Sequence, residues 1–383
     1  MYNKNMKEFD VVIIGGGASG TMCALSAQKK LKIAIVDDLS FPAKKLLVTG
    51  NGRCNLTNLN TTSKFYNQNI DNYLEKFNVQ NTLSFFEQLG LIYKIDDENR
   101  VYPLTNSAKT VVDVIFNELK KRNVFMFCEH KLQKIEKKGE FFEIITDKNV
   151  IFAKKVVVAT GGGFDFSKFD FEVKFKDFVP SLCALKTSTT KRLSGHRLSD
   201  VCVTYGNEKQ YGEVLFKDSG LSGICVFNLS SCFSRQNNFK GRVSIDIFPN
   251  IEHQNIKEIL MQRKNIVSEA GDICLGVLEK VIAKEILWRA NIDENSSAEQ
   301  LSETQIDRIC EIIKNFDFEV CGHYDNNQVF SGGVPLFDLT ENLEHKIHKN
   351  LYFCGEICDV DAECGGYNLQ WAWTSGHIVG VSL

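Results

Sequence analysis

The chain has 383 residues, of which 43% are hydrophobic and 24% charged, and its formal net charge at neutral pH is −3. This length exceeds what one hydrophobic core usually serves, so we expect two or three domains of an ordinary globular protein. The charge gives no sign of a general nucleic-acid surface, and no apolar run approaches the ~20 residues of a membrane span. The first ten residues lack the apolar core of a signal peptide, which predicts a cytoplasmic protein.

The first predicted element is a short buried strand that runs directly into a glycine-rich turn. Residues 11–14 form a continuous apolar run, typical of a parallel strand covered on both faces. The turn reads GGGASG, a G-x-G-x-x-G pattern, and an apolar helix follows. Here the glycines close the turn and admit a pyrophosphate, while the helix N-terminus supplies N–H donors. The residues assigned to this phosphate loop are Gly15, Gly17, Ala18, Ser19 and Gly20.

A second strand, residues 32–36, ends at an acidic pair. Asp37 lies 22 residues after Gly15, where an acid is expected to accept ribose hydroxyls. The pattern alone is weak evidence, but strand, turn, helix and acid in this order favour a dinucleotide site over a glycine-rich turn of an unrelated α/β fold. These residues leave NAD and FAD open.

Two further segments have the composition of ligand loops. Residues 44–58, KKLLVTGNGRCNLTN, are too polar for a core element and fit a solvent-exposed turn or a ligand loop about equally. Residues 141–163 show short strands separated by turn residues, which indicates a small β-meander that returns to the main sheet. Its last part, residues 156–159, is a second buried strand followed by glycines.

Residues 171–330 interrupt the dinucleotide-binding pattern. Short β-branched and aromatic runs predict strands over residues 178–249 and 319–330, whereas residues 250–318 have helical periodicity. Ser302 and Gln305 form a predicted capping box. The side chains of His196, Arg197 and His323 could orient a substrate, although a structural role is the simpler interpretation for each of them.

The stretch YFCGEICDVDAECGGYNLQWAWTS, residues 352–375, combines thiols, carboxylates and a glycine pair. The spacing of Cys354, Cys358 and Cys364 matches no common zinc or iron–sulfur pattern, so no metal site is predicted. The odd total of 13 cysteines in a large chain favours reduced, buried thiols over disulfides. Residues 351–353 predict a buried strand, and a helix of about a dozen residues should begin at Tyr367.

Several of these segments together resemble a known bacterial family. TGNGRCNLTN, RVYPLTNSAKTVVDVI (100–115), KVVVATGGG (155–163), SGGVPLFDLT (331–340) and CGEICDVDAECGGYNLQWAWTSG occur in the family's order. The chain is thereby similar to NAD(P)/FAD-dependent oxidoreductases of the aminoacetone-oxidase-like and BaiN-like type. These in turn resemble glutathione-reductase-type flavoproteins, and the similarity covers essentially the whole chain.

The resemblance implies an α/β fold with a discontinuous, doubly wound FAD-binding domain, residues 1–170 and 331–383. An inserted β-barrel-like domain, residues 171–330, would carry a small helical subdomain. The resemblance also implies tightly bound FAD, with a flavin edge facing the start of the last helix. Beyond the phosphate loop and Asp37, the implied cofactor-binding residues are Lys45, Gly52, Arg53, Cys54, Asn55, Leu132, Ala159, Thr160, Gly161, Gly355, Glu356, Gly366, Asn368 and Leu369.

Three functions remain open from the sequence. The first is an NADH- or NADPH-dependent reductase of a conjugated C=C bond in a small substrate, and the second an O2-dependent oxidase of a small amine. The third is a flavoprotein that mainly binds RNA or a partner, against which the net charge weighs. Because no second G-x-G-x-x-G follows, NAD(P)H would bind only transiently near the flavin. Because flavin performs hydride transfer itself, no catalytic side chain is predicted. The substrate and the oligomeric state are left open.

Overall fold

The computed structural model describes residues 7–188 and 191–383. It divides into two compact units, which we call the Rossmann unit (up to Val179, with Val329–Leu383) and the barrel unit (Pro180–Gln328). The barrel unit thus begins later than the expected residue 171. In the phenylalanine-rich segment 164–178, the rings of Phe166 and Phe169 belong to the core of the Rossmann unit, and those of Phe164, Phe171 and Phe178 pack on it.

The secondary structure follows in chain order. The strands are β1 (Lys7–Ile14), β2 (Ile33–Val36), β3 (Thr57–Asn58), β4 (Tyr93–Ile95), β5 (Arg100–Pro103), β6 (Phe125–Phe127), β7 (Leu132–Lys138), β8 (Phe141–Thr146), β9 (Val150–Val158), β10 (Lys176–Ser181), β11 (Leu185–Thr187), β12 (Arg197–Tyr205), β13 (Glu208–Lys217), β14 (Gly220–Ser222), β15 (Gly241–Asp246), β16 (Phe316–His323), β17 (Val329–Gly333) and β18 (Leu351–Phe353). The helices are α1 (Ala18–Ser26), α2 (Asp71–Lys76), α3 (Val79–Gln88), α4 (Ala108–Lys121), α5 (Ile224–Arg235), α6 (His253–Arg263), α7 (Lys280–Arg289), α8 (Glu303–Lys314) and α9 (Tyr367–Ser382).

The Rossmann unit is built on a seven-stranded sheet in the order β6-β2-β1-β9-β8-β7, with β18 paired to β9. The strands β6, β2, β1, β9 and β18 are mutually parallel where they pair. Parallel strands need crossovers and are covered on both faces, which is why β2 and the end of β1 are fully apolar and buried. The carboxyl ends of β1, β2, β9 and β18 therefore meet at one edge of the sheet, where this fold class places ligands.

The barrel unit has a core of its own. Its strands close in the order β11-β14-β13-β12-β15-β16 and pair antiparallel, and its helices α5 to α8 share the same hydrophobic cluster. The expected β-barrel-like insert is confirmed. The helix α5 lies inside the range expected to be β-rich, because its apolar and aromatic residues read as a strand without their tertiary context.

Several local predictions are confirmed by the structure. β2 and β18 lie where buried strands were predicted, and β1 extends the first predicted strand back to Lys7. α8 begins with the expected capping box, in which the Ser302 side chain accepts from the Gln305 N–H. α9 begins at Tyr367 as predicted but continues for 16 residues, since no proline interrupts it.

Candidate cofactor-binding and active site

The phosphate loop joins β1 to the N-terminus of α1. A Cβ atom at Gly15 would lie 2.5 Å from the carbonyl oxygen of Ala159, and one at Gly20 would lie 2.0 Å from that of Gly15. Glycine is required at both positions because any side chain would clash with backbone atoms of the neighbouring segment. A Cβ atom at Gly17 would instead meet no atom within 4 Å. The loop therefore leaves open space at the start of α1, where a phosphate group can reach unpaired N–H donors.

The first two residues of α1 have different roles. Ala18 packs against the core of the Rossmann unit. The buried hydroxyl of Ser19 donates to the carbonyl oxygen of Cys354 at 3.2 Å, so this side chain ties α1 to the end of β18. The donor of the Ser19 side chain is thereby already used within the protein.

Asp37 follows β2 and shapes the phosphate loop from the side. One carboxylate oxygen accepts the N–H of Gly16 at 2.5 Å, and the other accepts the N–H of Leu39 at 2.8 Å. Burial raises the pKa of Asp37 above its usual range. The N–H of His130 donates to the Asp37 carbonyl at 2.9 Å, which brings the segment leading to Leu132 to the same edge of the sheet. Leu132 itself is the buried first residue of β7.

The turn after β9 lies beside the phosphate loop. Ala159 donates its N–H to the carbonyl oxygen of Ile14 at 2.7 Å, and Thr160 and Gly161 follow as a half-buried turn. A Cβ atom at Gly162 would lie 2.5 Å from a carboxylate oxygen of Glu356 and 2.6 Å from the ring of Phe330. The turn is thus packed tightly under these two side chains.

Glu356 is a half-buried acid at the centre of this arrangement. Its Oε1 accepts the N–H of Phe330 at 2.8 Å. Burial raises the pKa of Glu356 to about 7, although the N–H groups of Phe330 and Gly162 and the ammonium group of Lys45 act to lower it. Lys45 itself is exposed in the 3-10 turn Lys44–Val48, and its positive charge acts on Glu356.

Gly355, next to Glu356, is held on both sides by α9. Its N–H donates to the hydroxyl of Ser375 at 2.8 Å, and its carbonyl oxygen accepts the indole N–H of Trp371 at 3.0 Å. Sequence reasoning missed both partners, as it missed Phe330. These long-range contacts leave no local signal in the sequence, whereas the glycine run of Gly161 and Gly162 was expected to approach a ligand closely.

The polar loop of residues 50–55 supplies an amide to the site. Gly52 is exposed, and the guanidinium group of Arg53 lies 4.4 Å from the ring centre of Tyr102. Cys54 is fully buried, and burial raises the pKa of its thiol to about 12, so the thiolate is not accessible near neutral pH. The side-chain oxygen of Asn55 is buried and has no hydrogen-bond partner among residues 7–188 and 191–383.

The N-terminus of α9 lies against this loop. Gly366 has φ +103°, and a Cβ atom there would lie 2.7 Å from the carbonyl carbon of Thr57 and 3.0 Å from the side-chain oxygen of Asn55. The side chain of Asn368 is engaged within the chain: it accepts the N–H of Ala362 at 2.9 Å and donates to the Ala362 carbonyl at 2.8 Å. Leu369 packs half-buried on the core.

The residues fit a flavin dinucleotide. The open space at Gly17 suits a pyrophosphate, and the unpartnered amide oxygen of Asn55 beside the N-terminus of α9 suits a polar ring edge. Within residues 7–188 and 191–383, no group of three or more His, Cys, Asp or Glu side chains is arranged to hold a metal ion. In the same part of the chain, none of the helices combines the length and apolarity needed to cross a membrane.

The whole chain is similar to several known proteins. A 3-dehydro-bile acid delta(4,6)-reductase from Clostridium scindens is 29% identical over 96% of this chain and 97% of its own. Ribosomal RNA dihydrouridine synthases are 25% identical in Haemophilus influenzae (97% of this chain, 98% of theirs) and 27% in Escherichia coli (97% and 96%).

Among solved structures, an E. coli quinol fumarate reductase FrdA chain is similar in fold, with TM-score 0.50 and 14% identity. The match covers 99% of this chain and 70% of that chain. The family model described as HI0933-like protein Rossmann domain matches residues 9–382. The chain therefore belongs to the HI0933-like family of FAD-dependent oxidoreductases with a Rossmann domain.

Proposed function

We propose that this protein is an NAD(P)H-dependent flavin reductase of a carbon–carbon double bond conjugated to a carbonyl group. The observation that carries the proposal is the end-to-end similarity to the Clostridium scindens reductase, 29% identical over 96% of this chain. The name of that relative specifies double bonds at positions 4 and 6, which are conjugated to the 3-oxo group. A bond of this kind accepts hydride because the carbonyl oxygen takes up the negative charge that develops.

The reaction balances as a two-electron transfer. The substrate carbon β to the carbonyl receives hydride and the α carbon receives a proton, while NADH or NADPH returns the hydride equivalent and leaves as NAD(P)+. When bound, FAD supplies the hydride chemistry between these two partners at its N5 atom. The single G-x-G-x-x-G of the sequence supports a nicotinamide nucleotide that binds only transiently.

The residues of this chain bind the cofactor and influence the charge that it carries. The open turn at Gly17 and the N–H groups that begin α1 bind the pyrophosphate. The amide of Asn55 orients the flavin ring, and the N-terminus of α9 next to it favours negative charge on the bound group. Glu356, with its pKa at about 7, holds a proton for part of the time at neutral pH.

A second candidate is the reduction of uridine in ribosomal RNA. Two relatives that match almost this whole chain, at 25% and 27% identity, are ribosomal RNA dihydrouridine synthases. Dihydrouridine is uridine with its ring double bond, which is conjugated to a carbonyl, reduced. The redox step would thus be the same and the substrate different. The net charge of −3 supports the small substrate as the first candidate.

Anaerobic stopped-flow absorbance at about 450 nm tests the proposal, because oxidised flavin absorbs there and reduced flavin does not. We expect NADH or NADPH to bleach the flavin, and a 3-oxo-Δ4,6 bile acid to restore the colour. Recovery with unmodified ribosomal RNA instead would select the second candidate. A flavin that only a small amine bleaches, and that O2 reoxidises, would overturn the proposal in favour of an oxidase.

A further inference from the structure

A cleft of about 500 Å³ opens on the helical part of the barrel unit. Its walls come from α7, from the loop that follows α7, and from Arg192. Three apolar side chains contribute to its surface: Val281, Leu287 and Ile292. This volume lies within the range of small-molecule sites, roughly 300–1,000 Å³. None of the residues named in the site above lines this cleft.

The cleft contains an exposed tryptophan that already carries a cation on one face. The indole of Trp288 is 59% exposed, and the guanidinium carbon of Arg192 lies 4.6 Å from its ring centre. The other two tryptophans of the chain, Trp371 and Trp373, are buried. Tryptophan and arginine are the residue types enriched among those that contribute most to binding. Trp288 therefore offers a planar stacking surface of the kind that bases use.

The charges around the cleft argue against a phosphate site. Glu285, only 6% exposed, accepts from Arg289 at 3.0 Å and lies 3.9 Å from Arg192. Lys284 is paired with Glu294 at 2.8 Å. Each cation thus has a carboxylate close by, which would repel a phosphate group. Asp293 and Glu294 also line the cleft, and a carboxylate can accept an N–H from the edge of a ring in addition to its ion pair, because its two oxygens offer about four lone-pair sites.

We propose that this cleft binds a nucleobase, stacked on Trp288 with its sugar and phosphate directed to solvent. The shared chemistry is a planar heterocycle with amino or imino groups at its edge. Two sources would present it: the base of a nicotinamide nucleotide or an unpaired base of an RNA. The proposal goes beyond the redox reaction and does not depend on which double bond is reduced.

Binding is measured on the full-length, FAD-saturated protein, so that added nucleotides cannot occupy the adenine part of the cofactor site. We expect saturable binding of AMP, GMP or CMP in isothermal titration, and none of ribose 5-phosphate, which lacks the base. Trp288→Ala should weaken binding roughly 5- to 150-fold, the range of single-base stacking on an aromatic ring. Trp288→Phe, which keeps an aromatic ring, should lose much less affinity.

Tyr211→Ala is the matched control, because Tyr211 is an equally exposed aromatic residue of the barrel unit (66% exposed) that does not line the cleft. If no base-containing probe binds, or if Tyr211→Ala weakens binding as much as Trp288→Ala, the proposal is overturned. Titration with NADH and with a single-stranded oligoribonucleotide then identifies the source: the natural one is the probe that binds the parent protein more tightly and loses more of that affinity in Trp288→Ala. Because the readout is binding, a failure here leaves the reductase proposal untouched.

Discussion

At the residue scale, Glu356 is the acid whose protonation the fold shifts most clearly toward neutral pH. Its carboxylate accepts the N–H of Phe330 but is withdrawn from water, and burial dominates, so the pKa rises from 4.5 to about 7. The unfolded chain releases this proton near its ordinary pKa of 4.5. The folded apoprotein must therefore lose stability as pH rises through the window between the two values, and the loss is complete above it.

Replacing Glu356 by Gln should remove this loss while keeping a hydrogen-bond acceptor. We expect the FAD-free E356Q variant to match the parent near pH 4.5 and to exceed it above pH 7 by about 1–3 kcal/mol in free energy of unfolding. Urea unfolding of both proteins across this range gives the difference directly. Glu341→Gln, an exposed acid of the same unit, is the control. A difference that does not change with pH would contradict the assigned pKa.

Gly366 is required by both its conformation and its surroundings. Gly366→Ala should destabilise the FAD-free protein, because the residue has φ +103° and the new Cβ would press on the carbonyl of Thr57. Gly139→Ala separates the two causes, since Gly139 has φ +64° but would meet no atom within 4 Å. We expect thermal unfolding to show a larger loss for Gly366→Ala by about 1–2 kcal/mol. Equal losses would mean that packing against Thr57 contributes nothing.

The sequence predicts those site residues whose role is local. Gly15 and Gly20 are visible because a strand–turn–helix connection needs close backbone contact, and Asp37 because it ends the next strand. The contact of Phe330 with Glu356 and Gly162 is not visible, because the chain brings these residues together only through tertiary structure. The bonds of the Asn368 side chain to the backbone of Ala362, six residues earlier, depend on the fold of one irregular loop, which has no periodic signal in the sequence.

At the element scale, a strap of residues 65–68 fixes the loop 359–363 that leads into α9. Asn67 donates its backbone N–H to the Asp361 carbonyl at 3.0 Å, accepts the Asp361 N–H at 3.3 Å and donates its amide to the Asp359 carbonyl at 3.2 Å. Phe65 stacks on Tyr367 at 4.2 Å between ring centres, with the rings 10° apart. The strap thus fixes the approach to Gly366 from outside the main sheet.

Asn67→Ala should loosen this loop without unfolding the unit. It removes two side-chain hydrogen bonds, each worth about 1 kcal/mol, but leaves the stacked rings in place. We expect faster hydrogen exchange at the Asp361 amide and weaker FAD binding, measured by mass spectrometry and by flavin fluorescence. Asn69→Ala is the control, because the Asn69 side chain accepts from the nearby Ser63 hydroxyl and Asp71 N–H rather than contacting the loop 359–363. Unchanged exchange at Asp361 would show that the strap does not hold the loop.

Helices and strands were predictable where the hydrophobic periodicity and the length of a segment indicate the same type of element. β2 and β18 are short apolar runs between polar turns, and α8 carries its capping box in the sequence. The helix α5 was not predictable, because its first turn, Ile224–Phe227, has the β-branched and aromatic composition of a strand. Packing against the barrel makes this segment helical rather than extended. The strap has no periodicity at all, so its role became visible only in the structure.

At the scale of the whole molecule, the chain builds two hydrophobic cores that share no residue. The core of the Rossmann unit ends at Val173 and resumes at Val334, whereas the core of the barrel unit lies between Leu185 and Val320. All residues assigned to FAD belong to the Rossmann unit, and the Trp288 cleft belongs to the barrel unit. A ligand stabilises only the cooperative unit that binds it, so the two units should respond to different ligands.

We therefore expect calorimetry of the FAD-free protein to show two unfolding transitions. Free FAD at about 100 times its dissociation constant should stabilise one of them by about 2.7 kcal/mol and leave the other in place. AMP, added to the FAD-saturated protein, should raise the unfolding temperature only of the transition that FAD leaves unchanged. Trp288→Ala should abolish this shift by AMP and leave the shift by FAD intact. A single transition that FAD moves as a whole would show that the two cores unfold together, because coupling between them then exceeds the stability of either one.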